Sequence, residues 1–142
     1  DAENNASGFP SITYNVRGVM GARYAVDTHL LTAVSSRADI LYIQADGRVG
    51  FNLKNSSGVS AGMVSILQVP LDVEFSITVV VTPTGCEMYL DGVLQATLTG
   101  SYNADTYSVL RVGSATNRTC AWYARSLKVW AKELTANQVT TL

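Results

Sequence analysis

Residues 73–98 read VEFSITVVVTPTGCEMYLDGVLQATL. Phe75, Ile77, Val79 and Val81 alternate with Glu74, Ser76, Thr78, Val80 and Thr82, the period of two that marks a strand with one buried face. Residues 83–85 (Pro-Thr-Gly) break that run. Asp91-Gly92 then supplies a type I′ turn, because both central positions need positive φ and this pair tolerates it. A two-residue turn there pairs Leu90 with Val93 and Tyr89 with Leu94. Cys86, Met88 and Leu90 fall on one face, and Glu87 and Tyr89 on the other.

Working outward, residues 107–112 form a short strand that ends in Val112-Gly113-Ser114. Residues 124–134 read as a last strand, with Leu127 and Val129 alternating with Ser126 and Lys128. Thr135-Ala136-Asn137-Gln138 has capping-box spacing and opens a final helical turn. Upstream, residues 11–19, 23–26, 30–34 and 63–69 are strand candidates. Residues 40–53 read as a hairpin on Asp46-Gly47, with Ala45 paired to Arg48 and Tyr42 to Phe51. That register puts Ile40, Tyr42, Val49, Phe51 and Leu53 in the core, and Arg48, Asn52 and Lys54 in solvent. Residues 55–62 are a Ser/Gly-rich loop, and residues 1–8 a polar, loosely ordered start. Many short strands with almost no helical periodicity specify an all-β sandwich or barrel.

The 142 residues fit one domain, large enough to bury roughly 68–70% of its unfolded surface without staples. Hydrophobic residues make up 47% and charged ones 15%. The remainder is rich in Ser, Thr, Asn and Gly, which suits an extracellular or particle-surface protein. A net charge of −1 without clustered Lys and Arg gives no footprint for nucleic acid. No apolar run approaches the ~20 residues of a membrane span, so no membrane insertion is expected. The chain starts at Asp1 and shows no signal peptide, which reads as a processed product or, the favoured alternative, a domain excised from a larger protein. Cys86 and Cys120 can pair in an exported chain; two buried free thiols are the alternative.

Together these segments resemble the laminin-G-like, concanavalin A-like lectin/glucanase family. The residues that carry the resemblance are Met88-Tyr89-Leu90-Asp91-Gly92, then Arg111-Val112-Gly113, then Leu127-Lys128-Val129-Trp130 with Leu134. Residues 11–16 and 30–53 fit the family's first-sheet strands. The family's usual glycine before the last strand is Ala124 here. The resemblance implies an antiparallel two-sheet jelly-roll sandwich with a short C-terminal helical turn. It implies roles such as lectin modules, appendages of glycoside hydrolases, extracellular matrix modules, and components of phage tails or other virion surfaces. Some members bind calcium through loop acids, and some relatives are glucanases or polysaccharide lyases. These are fold motifs, so they specify architecture better than function.

Catalysis finds little support in the residues. A glycosidase needs two carboxyl groups facing one bond. Glu3, Glu74, Glu87 and Glu133 have no second carboxylate within four residues on the same strand face; Asp72, two before Glu74, sits at the strand entrance. Glu87 with Asp91 comes nearest, but Asp91 belongs to its turn. His29 is the sole histidine and reads as a structural residue at a strand start. One histidine and two separated cysteines lack zinc-ligand spacing.

Binding residues are easier to nominate. Sugars are held by aromatic faces, with Asn, Asp and Arg fixing hydroxyls. Residues 117–125 (NRTCAWYAR) are the densest such cluster. Trp122 and Tyr123 are adjacent, so a strand must point one of them away from the core, with Arg118 and Arg125 flanking. The plainer reading is that Trp122 is core and Tyr123 covers a sheet edge. The loop Ser101-Tyr102-Asn103-Ala104-Asp105 offers a ring and two oxygen ligands for a sugar or calcium, with Asp105 the metal candidate; an ordinary hydrophilic turn is the plainer reading. Asp27, Asp39 and Asp46 are weaker calcium candidates. Trp130 reads as packing. Three glycosylation sequons start at Asn5, Asn55 and Asn117.

The sequence thus points to a non-catalytic carbohydrate-binding module for a cell-surface or polymeric glycan, on an extracellular, cell or virion surface. The alternative is a structural or interaction module packed against other subunits of a larger assembly. A polysaccharide hydrolase or lyase comes third.

Overall fold

The structure, a computed structural model, describes residues 10–35, 37–103, 107–113 and 122–142. Ten strands run β1 (Ile12–Met20), β2 (Thr28–Ser35), β3 (Ile40–Ile43), β4 (Arg48–Lys54), β5 (Ser60–Gln68), β6 (Glu74–Thr82), β7 (Gly85–Leu90), β8 (Val93–Thr99), β9 (Tyr107–Val112) and β10 (Trp122–Trp130), followed by one short helix, α1 (Ala136–Val139). They form two antiparallel five-stranded sheets, ordered β10-β1-β6-β7-β8 and β5-β4-β3-β2-β9. This is the jelly-roll sandwich expected from the sequence. β5 and β8 are the edges on one side, and β9 and β10 the edges on the other.

The β7–β8 hairpin has the expected register. Asp91 (φ 50) and Gly92 (φ 79) both take positive φ, and Leu90 faces Val93. The β3–β4 hairpin does not follow the expectation. Gly47 (φ 90) takes positive φ and Asp46 does not, so the turn is a right-handed one closed by a glycine, with Gly47 N bonded to Gln44 O and Gln44 N to Arg48 O. The cause is local. Asp46 is held by Arg48, whose backbone N–H and Nε donate to its two carboxylate oxygens. The register moves by one residue, pairing Leu41 with Phe51 and Tyr42 with Gly50. Leu41 and Ile43 therefore enter the core with Val49, Phe51 and Leu53, while Ile40 and Tyr42 turn to the outer face.

Two other expectations are corrected. Residues 23–26 are not a strand; residues 21–27 carry the chain from one sheet to the other. Arg23 braces this crossing by donating to the carbonyls of Val69 (2.9 Å) and Asp46 (3.4 Å). The Ser/Gly loop is shorter than expected, because the Asn55 side chain accepts from the N–H groups of Ser57 and Val59 and closes a tight turn. β5 thus starts at Ser60, and Gly62 lies within it.

The core fills the space between the sheets with Ile12, Tyr14, Val16, Leu30, Phe51, Phe75, Ile77 and Met88 among others. A smaller cluster lies on the outer face of the β1 sheet. There Val139 of α1 and Leu134 cover Val80 and Tyr89, with Trp130 packed beside them. Thr135 and Gln138 make the capping box that starts α1. Within the main core, Arg37 and Asp39 form an ion pair with side chains 1% and 0% exposed. Asp39 is therefore committed to the core and is not a calcium ligand at the surface.

Candidate functional site

The site is built on β10, whose residues register against β1. Met20 faces Trp122, Val19 faces Tyr123, Gly18 faces Ala124 and Arg17 faces Ser126. Arg125 is the extra residue of a β-bulge, a device that re-aims a side chain at a sheet edge. Pairing with Met20 turns Trp122 inward, where its ring lies 6.3 Å from that of Phe75. Gly18 is needed for this, since a Cβ there would stand 2.6 Å from Cε3 of Trp122. Tyr123 points the opposite way and is 71% exposed.

Around Tyr123 the outer face of the sheet is polar. Register places Ser126, Arg17 and Ser76 in one row and Lys128, Asn15 and Thr78 in the next. Arg17 pairs with Glu74 at half-exposed positions, and the Asn15 amide donates to Ser76 Oγ (3.0 Å) and Thr78 Oγ1 (2.9 Å).

A cleft of about 240 Å³ opens between the β10 and β9 edges, lined by Val16, Leu30, Val112, Trp122, Arg125 and Ser126 among others. It is smaller than the roughly 300–1,000 Å³ pockets that enclose drug-sized ligands. Its described lining contains no carboxylate and no histidine. Among the described residues, no three His, Cys, Asp or Glu side chains gather into a metal site.

Of the residues nominated from sequence, Trp122 and Arg125 line the cleft together, and Tyr123 stands on the neighbouring outer face. Tyr102 is corrected: it is 4% exposed and belongs to the core, so its ring is not offered to a ligand. The chain folds back there, with Tyr102 N bonded to Pro83 O. Asn103 is exposed, and its carbonyl accepts from Arg37 Nη1 at 3.4 Å. Asp105, Arg118 and Cys120 lie outside the described residues. Cys86 is a buried free thiol; burial pushes it up to about 12.

The sequence reading missed the outer face of the β5-β4-β3-β2-β9 sheet. There the Tyr42 ring lies over Gly50, where a Cβ would collide with it. Asn52 Nδ2 donates to the Tyr42 hydroxyl at 3.2 Å, and the His29 ring stands 6.0 Å from the Tyr42 ring. A depression of about 340 Å³ continues from Asn52 over Ile40, Lys54, Ser60 and Gly62. The available signal was a pair of glycines, Gly50 and Gly62, inside strands, where glycine marks a close approach.

No family model and no curated relative matches the chain by sequence. The fold, in contrast, is shared with solved structures. The botulinum neurotoxin serotype G binding domain superposes with a TM-score of 0.68 at 13% identity, over 94% of this chain and 36% of that one. A native heptameric SAP-like pentraxin from Limulus polyphemus gives 0.69 at 15% identity, over 94% of this chain and 69% of that one. The binding domain of Paraclostridial Mosquitocidal Protein 1 gives 0.73 at 12% identity, over 94% and 36%. This chain thus spans about a third of the toxin binding domains it resembles. At these identities the likeness is one of fold.

Proposed function

We propose that this chain is a non-catalytic, laminin-G-like carbohydrate-binding module, a single domain of a larger exported or virion-surface protein. It recognises a cell-surface or polymeric glycan at β10. The observation that carries this reading is the pair Trp122 and Tyr123. One ring lines a cleft of about 240 Å³, and its neighbour is 71% exposed on the adjoining face. An aromatic exposed to that extent is a ready stacking platform. The toxin binding domains and the pentraxin that share the fold support a binding role. The described lining of the cleft, which offers rings and a guanidinium but no carboxylate, fits binding better than catalysis. Affinity for one copy would be weak and raised by multivalency.

Isothermal titration of the purified chain against a broad saccharide panel, with calcium and with chelator, tests this. A specific saccharide should bind, and Tyr123→Ala should weaken it about tenfold. No binding at millimolar concentration across the panel, with folding confirmed by circular dichroism, overturns the reading.

A second reading is an interaction module of a larger assembly. It is favoured by the β5 and β8 edges, which carry no charged residue and no proline, two of the usual protections of an exposed edge. Ile66, Leu67, Val93 and Leu94 are all exposed there.

A further inference from the structure

Charge is unevenly divided along the chain. Residues 106–132 hold Arg111, Arg118, Arg125, Lys128 and Lys132, five of the ten Lys and Arg residues, and none of the eleven Asp and Glu residues. In a chain of net charge −1, that stretch is formally +5 and the rest −6. The stretch includes β9 and β10, so its described cations gather on one side of the sandwich.

The described cations also differ in how they are satisfied. Arg17 pairs with Glu74, Arg37 with Asp39 and Arg48 with Asp46, while Arg23 donates to two backbone carbonyls. Arg111, Arg125 and Lys128 are exposed and, like Lys132 just beyond β10 and Lys54 on β4, make no side-chain hydrogen bond or ion pair with any described residue. The first three occupy successive positions around the edge. Lys128 faces Asn15 on the outer face of one sheet, and Arg125 lines the cleft between the sheets. Arg111 faces Thr32 on the other sheet; its neighbour Leu110 packs inward, so Arg111 points outward.

We propose that the β9/β10 edge selects anionic saccharides, carboxylated or sulfated, over neutral ones. This rests on the glycan-binding reading above and names the ligand class of the same site. Arg125 presents a planar fork of donors that matches a carboxylate or sulfate in two parallel hydrogen bonds. It does so beside the Trp122 ring, so one acidic sugar residue meets a stacking face and a guanidinium together. A longer chain crossing the edge passes Lys128 and Arg111 on either side. The free cations add attraction that salt screens. A polynucleotide is the less suited polyanion, because the described cations stand several residues apart and form no continuous basic stripe.

The test is isothermal titration of the chain with a heparin-derived tetrasaccharide, an oligogalacturonate, 3′-sialyllactose, neutral maltohexaose and a single-stranded DNA oligomer, at low and at high sodium chloride. At least one acidic saccharide should bind ten or more times tighter than maltohexaose and weaken severalfold at high salt. The sulfated and carboxylated arms separate the two sources of negative charge. Arg125→Ala should weaken acidic-saccharide binding about tenfold. Arg48→Ala, the same charge change far from β10, should not. Lys128→Ala serves as the second variant if Arg125→Ala loses its circular dichroism spectrum. Equal binding of maltohexaose, or insensitivity to both Arg125→Ala and Lys128→Ala, overturns this inference and leaves the glycan reading standing. Binding of DNA with no saccharide bound overturns both.

Discussion

The hydroxyl of Tyr14, on the sheet that carries β10, reaches the opposite layer and donates a 2.6 Å hydrogen bond to Oδ2 of Asp39. The same carboxylate accepts from Arg37 Nη2 at 2.7 Å and Nε at 2.9 Å. A buried charge so thoroughly paired is tolerated, whereas one that loses its partner is not. Asp39→Ala removes the carboxylate that the Arg37 guanidinium and the Tyr14 hydroxyl share in the core and should cost about 3–5 kcal/mol of stability. Tyr14→Phe removes one bond to a charged acceptor and should cost about 1.5–3 kcal/mol. Urea unfolding of the two variants measures both. Equal midpoints for wild type and Asp39→Ala would refute the role given to this triad.

Gly18 sets the position of Trp122. Gly18→Ala drives a methyl into the indole and into the Tyr123 carbonyl, 2.7 Å from the new Cβ. The expected cost is about 1–3 kcal/mol, in the range of core overpacking. In a Trp130→Phe background, Trp122 is the sole tryptophan. Its emission should shift to the red in Gly18→Ala as the ring leaves Phe75. An unchanged spectrum would mean that the ring does not pack where Gly18 makes room for it.

Much of this fold was legible because its decisive signals are local. The alternation of β6, the Asp91-Gly92 turn and the Thr135–Gln138 capping box all reside within a few residues, and all three stand as read. The same Asp-Gly dipeptide misled at residues 46–47. At Asp91 the carboxylate accepts from Ser76 N on a neighbouring strand. At Asp46 it is claimed by Arg48 two residues on. Which turn forms thus depends on the residue after the glycine, and a slip of one position moved Tyr42 out of the core. The site was half legible for a similar reason. Alternation separates Trp122 from Tyr123 without saying which faces inward. The bulge at Arg125 is defined only against β1, and the burial of Tyr102 comes from contacts distant in sequence.

Alkaline pH should unfold the protein in a defined window. Cys86 is pushed up from 9.0 to about 12, by burial first. Tyr89 goes from 10.0 to about 12, by burial and then by its hydrogen bond to Glu87. Both groups bind their protons more tightly folded than unfolded. Their contribution to stability is complete below pH 9 and is lost as pH rises toward 12. The urea midpoint should hold from pH 7 to 9 and then fall. Cys86→Ala should flatten the first part of that fall, between pH 9 and 10, where the thiol titrates ahead of the phenol. At pH 8, Cys86 should resist a disulfide-exchange thiol reagent in the native state and react once denatured. A decline that begins below pH 8 would contradict the assignment.

On the opposite side of the sandwich, Ile66 is the most informative exposed residue. β5 bulges between its pairings of Val64 with Gly50 and Gln68 with Arg48. Buried Ser65 holds that bulge by accepting from Val49 N at 2.8 Å and donating to Leu67 O at 2.5 Å. Gln95 of β8, also buried, accepts from Leu67 N at 3.0 Å and donates to Val93 O at 3.2 Å. These four bonds fix a protrusion on which Ile66 is 77% and Leu67 55% exposed, beside Val93 at 58% and Leu94 at 49%. Isolated exposed aliphatics need no explanation, but a contiguous group on charge-free edges has the character of a protein–protein contact surface. If the interaction reading holds, the chain should self-associate or bind a neighbouring subunit through this patch. Ile66→Lys with Leu67→Lys should abolish that association. Stability should change by no more than about 0.5 kcal/mol, as for surface substitutions in general. Sedimentation equilibrium from micromolar to near-millimolar concentration, alone and with candidate subunits of the parent assembly, reads the outcome. A wild-type chain that stays monomeric and captures no subunit would overturn the interaction reading.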